Sequence, residues 1–267
     1  MMACTKFVLL ETAANSQTLE VKDFFDGHAK EYREKYQGKD KFYQYFFFER
    51  LEAATAGIDF SGKRILDVGC GTGPLYDYLT EDLKANFELY KGTDIAPGML
   101  SQSRIPTEHQ HPGRFTDIEF PEKFDLIFML GVTTYLTPED RSAYFEKIKK
   151  LLLPGGHFIV TFTHRRSLDI RMRQLFAPIR KALAGKNRVM AQDFKTWYYS
   201  KSEIEKSIPE GLTIEKMEGL NHTIFPISRL VPSIALPFAT WIHKRQESRI
   251  KHWLSSDLIC LIKKSLY

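Results

Sequence analysis

Residues 64–75 read RILDVGCGTGPL. A strand-like apolar run ends in an acid, Asp67, followed by three glycines, Gly69, Gly71 and Gly73, spaced two apart. Backbone this bare at a strand end lets a ligand approach the main chain closely and presents amides near a helix N-terminus. One occupant that needs such a turn beside a carboxylate is a nucleotide-containing cofactor; the competing reading is a tight strand-to-helix turn with no ligand. The dinucleotide fingerprint G-x-G-x-x-G places its third glycine three residues after the second, a spacing that G-C-G-T-G does not keep.

Other residues could also do chemistry. Asp94 closes the run in YKGTDIAPGML, His164 follows IVTFT directly, and His222 stands in GLNHT after a later strand. Unperturbed histidine titrates near neutrality, so either could act as a base, although each also reads as a surface or structural histidine. The three cysteines, Cys4, Cys70 and Cys260, lie far apart and suggest neither a disulfide framework nor a zinc site. Their use fits a reducing compartment. No H-x-x-x-H or clustered carboxylate pattern offers a metal, and none is expected.

The elements that must position these residues follow from the pattern. From residue 64 onward short β-rich runs alternate with helical stretches, which argues for a parallel sheet covered by helices. Strands are expected near Arg64–Val68, Phe87–Thr93, Arg114–Thr116, Phe124–Leu130, His157–Thr163, Leu212–Gly219 and Asp257–Ile262. Helices are expected to start at Pro74, Pro97 and Pro138, since proline is well tolerated in a first helical turn. Thr137 can cap the third of these, Glu139 and Asp140 suit its positive end, and Gly155–Gly156 are expected to close it. Before the sheet, an aromatic-rich stretch places Phe25, Ala29, Tyr32 and Tyr36 on one helical face, either as core packing or as a lid over a ligand.

The 267 residues are 43% hydrophobic and 27% charged, ordinary globular composition with material for one large core. Net charge is +5 but unevenly placed: residues 165–190 carry +7 and residues 221–252 carry +4. In the first segment Leu168, Met172, Leu175, Phe176, Ile179 and Leu183 share one helical arc, with Arg166, Arg173, Arg180 and Lys181 elsewhere. Pro178 must kink or break that helix. The second is apolar first and basic afterwards, with Trp241 and Trp253 near the boundary. The run Phe7–Leu10 is too short for a signal-peptide core, and the stretch 230–242, interrupted by Pro232 and Pro237, is short of a spanning helix.

The stretch from Asp67 to Gly73 resembles motif I of the class I S-adenosylmethionine (SAM)-dependent methyltransferases, D/E-x-G-x-G-x-G, at every fixed position. YKGTDIAPGML is similar to the family's second-strand motif, FTDIEFPEKFDLIFMLGV to its adenine-binding turn and fourth strand, and LLLPGGHFIVTF to the approach to its fifth. WYYSKSEIEKSI with GLTIEKMEG, and SSDLICLIKK, resemble its last two strands. The resemblance implies a Rossmann-like α/β fold, a seven-stranded mostly parallel sheet with an N-terminal helical cap and late helical insertions. It implies that SAM is bound with Asp67 near the methionine amino group and Asp94 on the ribose hydroxyls. Asp117 and the Ile118 amide would meet the adenine, Met99 would pack on its face, and Ile95, Tyr32 and Tyr36 would complete the contacts.

On this reading one domain spans 1–267. Residues 1–60 form the cap, 61–164 the SAM-binding half, 165–196 and 220–253 a helical substrate lid, and 197–219 and 254–267 the final strands. Ligands of open α/β sheets enter at the carboxyl ends of the strands, which places Gly131–Tyr135 and His164 near the methyl. His164 is the first candidate base, with Tyr135 and His222 behind it. The expected acceptor is a small molecule, with an oxygen nucleophile and apolar or anionic character (a lipid, quinone or sugar), met in the cytoplasm or at an anionic membrane surface. RNA methylation through the basic insertions, or a non-catalytic SAM-binding partner subunit, are the alternatives; oligomeric state is not legible.

Overall fold

The apolar run around the glycine turn forms the centre of the sheet. In the computed structural model, which describes residues 17–38, 40–178, 195–245 and 248–266, strand β1 (Arg64–Val68) pairs in parallel with β2 (Leu89–Asp94) on one side and β4 (Phe124–Met129) on the other. The seven strands lie in the order β3-β2-β1-β4-β5-β7-β6. β5 (Leu152–Thr163) is parallel to β4, whereas β7 (Asp257–Lys264) is antiparallel to both β5 and β6 (Leu212–Leu220). A strand covered on both faces has little need of alternation, and in RILDV everything after Arg64 is buried.

Two cores result. Phe145, Phe158 and Phe162 centre one face of the sheet; Ile65, Leu79 and Phe128 centre the other. The described N-terminal helices are α1 (17–27), α2 (Ala29–Gln37) and α3 (Lys41–Thr55). Helices α4 (Pro74–Asp77), α5 (Pro97–Leu100) and α6 (Pro138–Leu151) each begin at the expected proline. Thr137 caps α6, its side chain accepting from the Asp140 amide. Later come α7 (Leu168–Leu175), α8 (Lys201–Ser207), α9 (Ile227–Leu230), α10 (Pro232–His243) and α11 (Arg249–Leu254).

Three expectations need correction. The third strand is not Arg114–Thr116 but β3, Gln110–Pro112, which pairs with Gly92–Asp94; Phe115–Asp117 is a 3-10 turn instead. The sequence QHP lacks the β-branched residues that mark a strand. Helix α6 stops at Leu151, and Gly155 and Gly156 lie inside β5, which starts five residues earlier than His157. Pro237 sits within α10 without ending it. Of the first insertion α7 is described; Ile179, Arg180, Lys181 and Leu183 lie outside the described residues. Among the described residues no helix is long and apolar enough to cross a membrane.

Candidate active site

The glycine turn is built by conformation and by crowding. Gly69, Gly71 and Gly73 have φ of +71°, +56° and +77°, where a Cβ is strained. A Cβ on Gly69 would also stand 2.3 Å from Val132 Cγ2. The Gly69 and Cys70 amides both donate to the Thr93 carbonyl, at 2.7 and 3.0 Å, locking the turn to the end of β2. Helix α2 is held above it: Arg33 donates to the Thr72 carbonyl (2.8 Å) and pairs with Asp77 (2.6 Å).

Two carboxylates flank the turn, Asp67 buried and Asp94 half-buried. Asp67 accepts from the Tyr90 hydroxyl at 2.7 Å. Asp94 accepts from the Gly71 amide through one oxygen (2.8 Å) and from the Ala96 amide through the other (2.9 Å). Neither has a basic partner within ion-pair distance among the described residues. Burial penalises the charged forms and pushes Asp67 up to about 7 and Asp94 to about 6. The nearby Asp94 raises Asp67 further, against the Tyr90 bond.

Both acids open into a cavity of about 540 Å³ running from the glycine turn to helices α2 and α3. Most charged groups on its walls are paired: Arg50 with Asp257 (3.0 Å), Arg114 with Asp140, and Arg173 with Asp169 (2.5 Å). Two lining cations have no carboxylate within ion-pair distance among the described residues. Arg229 donates to the Tyr43 hydroxyl (2.9 Å) and lies over the rings of Phe42 and Tyr43. The Lys35 ammonium lies 5.4 Å from the Tyr32 ring centre and 5.7 Å from that of Tyr43. Burial lowers its pKa, with Glu31 acting at longer range in the opposite sense.

The structure brings Asp67, Gly69, Gly71, Asp94, Ile95, Met99, Tyr32 and Tyr135 together on this cavity. Gly73 stands just behind it as the left-handed residue before α4. Tyr36 falls on α2, but its side chain lies outside the described residues. Asp117 and Ile118 do not reach the cavity. Asp117 is exposed and takes the Thr116 hydroxyl, because the chain tightens into the 3-10 turn. Arg114 and Phe115 line the wall in their place.

Two of the three candidate bases are also elsewhere. Thr161 and Thr163 line the cavity, so strand alternation turns His164 away. Its Nδ1 lies 3.1 Å from the Ser255 carbonyl, its ring packs on His252, and burial lowers its pKa. His222 follows β6, which the inserted β7 separates from β5, and its ring is buried beside Glu49. Tyr135 does line the cavity, its ring edge-on to Phe25. Sequence reasoning missed Arg50, Arg114 and Asp257. Asp140 carried a signal, but one that reads first as a helix-start acid. For Lys35 and Arg229 no local pattern marks the role.

Comparison with known proteins agrees with this geometry. A family model described as a methyltransferase domain matches residues 66–158. An uncharacterized methyltransferase of Bacillus cereus is 23% identical over 192 residues, 72% of this chain and 88% of that one. Another, of Bacillus mycoides, is 26% identical over 194 residues with the same coverage. The fold is shared with the magnesium protoporphyrin IX methyltransferase of Synechocystis PCC 6803, solved with bound SAH. That likeness has a TM-score of 0.61 and 14% identity, and covers 93% of this chain and 100% of that one. It is shared too with the N-methyltransferase NodS of Bradyrhizobium japonicum WM9, also with SAH, at a TM-score of 0.51 and 14% identity over 85% of this chain and 89% of that one. With the intact glycine turn, the paired acids and the seven-stranded sheet behind them, the chain carries a class I SAM-dependent methyltransferase domain.

Proposed function

We propose that this enzyme methylates a small molecule that is apolar over most of its surface and carries an anionic group. The residues present fit SAM. The glycine turn leaves a cradle that a Cβ would fill, and among the described residues the two acids lack cations and the buried Thr72 and Thr93 hydroxyls lack hydrogen-bond partners. Asp94 would hold the ribose hydroxyls with its remaining lone pairs, Asp67 would face the methionine ammonium, and Met99 with Arg114 and Phe115 would border the adenine. When bound, SAM supplies a methyl made electrophilic by its sulfonium, open to in-line displacement.

The chain's task is then alignment, which can supply roughly 7–11 kcal/mol when reacting atoms are held near contact. The β4 end that does this is rigid: the Gly131 amide donates to the Thr161 hydroxyl (2.7 Å), and the Thr133 hydroxyl donates to the Thr161 carbonyl (2.7 Å). For an oxygen nucleophile, Tyr135 is the candidate proton acceptor, alone of the three on the cavity wall. In the reading of 1–267 as one domain, the described part of residues 1–60 would act as the cap over this site, 61–164 as the cofactor half, and the described parts of 165–196 and 220–253 as the acceptor lid.

The observation that carries the acceptor class is the charge left over on the aromatic wall. Three ion pairs cancel, and the cations that remain, Lys35 and Arg229, both lie on rings of α2 and α3. Labelled methyl transfer from SAM into an extract of the source cells, followed by solvent partition and anion exchange, tests this. An organic-soluble anionic product is expected, and the double variant Lys35→Ala/Arg229→Ala should raise the acceptor KM by roughly tenfold or more without changing SAM affinity. A neutral product, or an unaltered KM, would sink the acceptor class. Binding of SAM with no turnover would favour the non-catalytic alternative.

A second observation favours a lipid surface as the place of work. Helix α10 exposes Ile234, Phe238 and Trp241 on one face, continued by Leu230, with Ile234 72% exposed; Arg245 lies 4.2 Å from the Trp241 ring centre. A face of this kind, apolar with basic residues at its border, suits the interface of an anionic membrane better than RNA, where phosphates call for a basic face. The protein would then be cytoplasmic and peripheral. The double variant Phe238→Ala/Trp241→Ala is expected to lose co-sedimentation with phosphatidylserine vesicles; equal sedimentation of variant and wild type would refute the contact.

A further inference from the structure

A polar cluster lies outside the cavity, where three distant parts of the chain meet. Glu49 of α3 sits with its Oε1 2.8 Å from Nδ1 of His243, at the end of α10, and 3.5 Å from Nδ1 of His222, in the turn after β6. Ligand-capable atoms of all three lie within 4.8 Å of one another. Glu49 and His222 are buried and His243 is half-buried.

Hydrogen bonding does not satisfy this cluster. Among the described residues neither ring nitrogen of His222 has a hydrogen-bond partner, and neither does Glu49 Oε2. The Asn221 amide donates to Oε1 (3.1 Å), the oxygen that both imidazoles also approach. The buried Tyr45 hydroxyl lies against the same carboxylate and the His222 backbone. Buried polar atoms are nearly always paired, and an unpaired one costs about 1–3 kcal/mol. Glu49 stands within ion-pair distance of both imidazoles, yet one carboxylate oxygen serves both, and the His222 contact at 3.5 Å is longer than a good hydrogen bond.

The geometry points to a zinc-type divalent metal site formed by Glu49, His222 and His243. Two imidazoles and a carboxylate suit zinc and leave a fourth position for a water or the Tyr45 oxygen. Magnesium and calcium prefer all-oxygen sets. Donors at about 2.0–2.1 Å from a tetrahedral ion stand about 3.3–3.4 Å apart, and the separations of 2.8 and 3.5 Å bracket that value. Such an ion joins α3, the turn after β6 and α10, and so fastens the late helical segment to the N-terminal cap. The sequence offered no hint of it, because the fold, not a local spacing, gathers the ligands.

The test uses the full chain, stripped with a chelator and titrated with Zn²⁺ against a chromophoric competitor, with metal analysis after gel filtration. One zinc per chain at submicromolar Kd is expected, together with a zinc-dependent rise in Tm. His243→Ala should weaken binding by at least about tenfold and abolish the Tm rise, and Glu49→Gln should do the same. Absence of stoichiometric zinc in the wild type would overturn the site. So would wild-type affinity in His243→Ala, which would assign the metal to other ligands.

Discussion

Asp94→Ala raises the SAM Kd by two orders of magnitude or more. A carboxylate accepting from two vicinal hydroxyls makes two charge-assisted bonds, each worth about 1.5–3 kcal/mol. Both oxygens already accept from the Gly71 and Ala96 amides, so the side chain is held in place before the ligand arrives. The alanine variant also removes the acceptor that fixes the Gly71 amide, and the glycine turn loosens with it. Asp94→Asn, which keeps one carbonyl oxygen, should fall between. Isothermal titration with SAM on folded protein decides; a shift under about threefold for Asp94→Ala would remove Asp94 from the cofactor site.

Asp67→Asn is expected to separate stability from binding. In the folded chain without cofactor burial pushes the Asp67 carboxyl up to about 7 from the ordinary aspartate value of about 3.8. The native state therefore holds a proton that the unfolded chain has released. Between about pH 4 and pH 7 this group's contribution to stability declines as pH rises, and the full cost is present above pH 7. At about 1.4 kcal/mol per pH unit it amounts to something on the order of 4 kcal/mol. Asparagine can still accept from the Tyr90 hydroxyl and carries no charge. The cofactor-free variant should melt above wild type at pH 8, the gap narrowing by pH 5, while SAM affinity falls because the ammonium loses its counter-charge. Thermal melts at the two pH values, with and without SAM, measure all three effects. A variant less stable than wild type at pH 8, or a gap indifferent to pH, would show that Asp67 is not a strained acid.

Much of this was legible in the sequence because it is local. The run Arg64–Val68, the glycine spacing, Asp67, Asp94 and the proline-led helix starts each depend on neighbours a few residues away, where backbone preference and capping act. The signal failed where a decision belongs to the sheet. The third strand has three residues and no β-branched side chain, so Asp117 was aligned with a cavity that Arg114 and Phe115 line. His164 was assigned by its nearness to Thr163, yet strand alternation turns it toward Ser255. Arg50 and Asp257 meet across most of the chain, and Lys35 and Arg229 gain meaning only because the other charges on their wall are cancelled.

The placement of β7 has a consequence for how the molecule is made. Among the described residues β6 pairs with β7 alone, and β7 stands between it and β5. As the chain leaves the ribosome, β1 through β5 can assemble in order, each parallel strand finding its neighbour already present. Residues 212–220 have no such partner; their edge stays bare until residues 257–264 emerge and slot between two strands made earlier. The nascent chain thus passes through a stage in which the cofactor half can be formed and β6 hangs unpaired, the interval in which it most needs shielding from other chains.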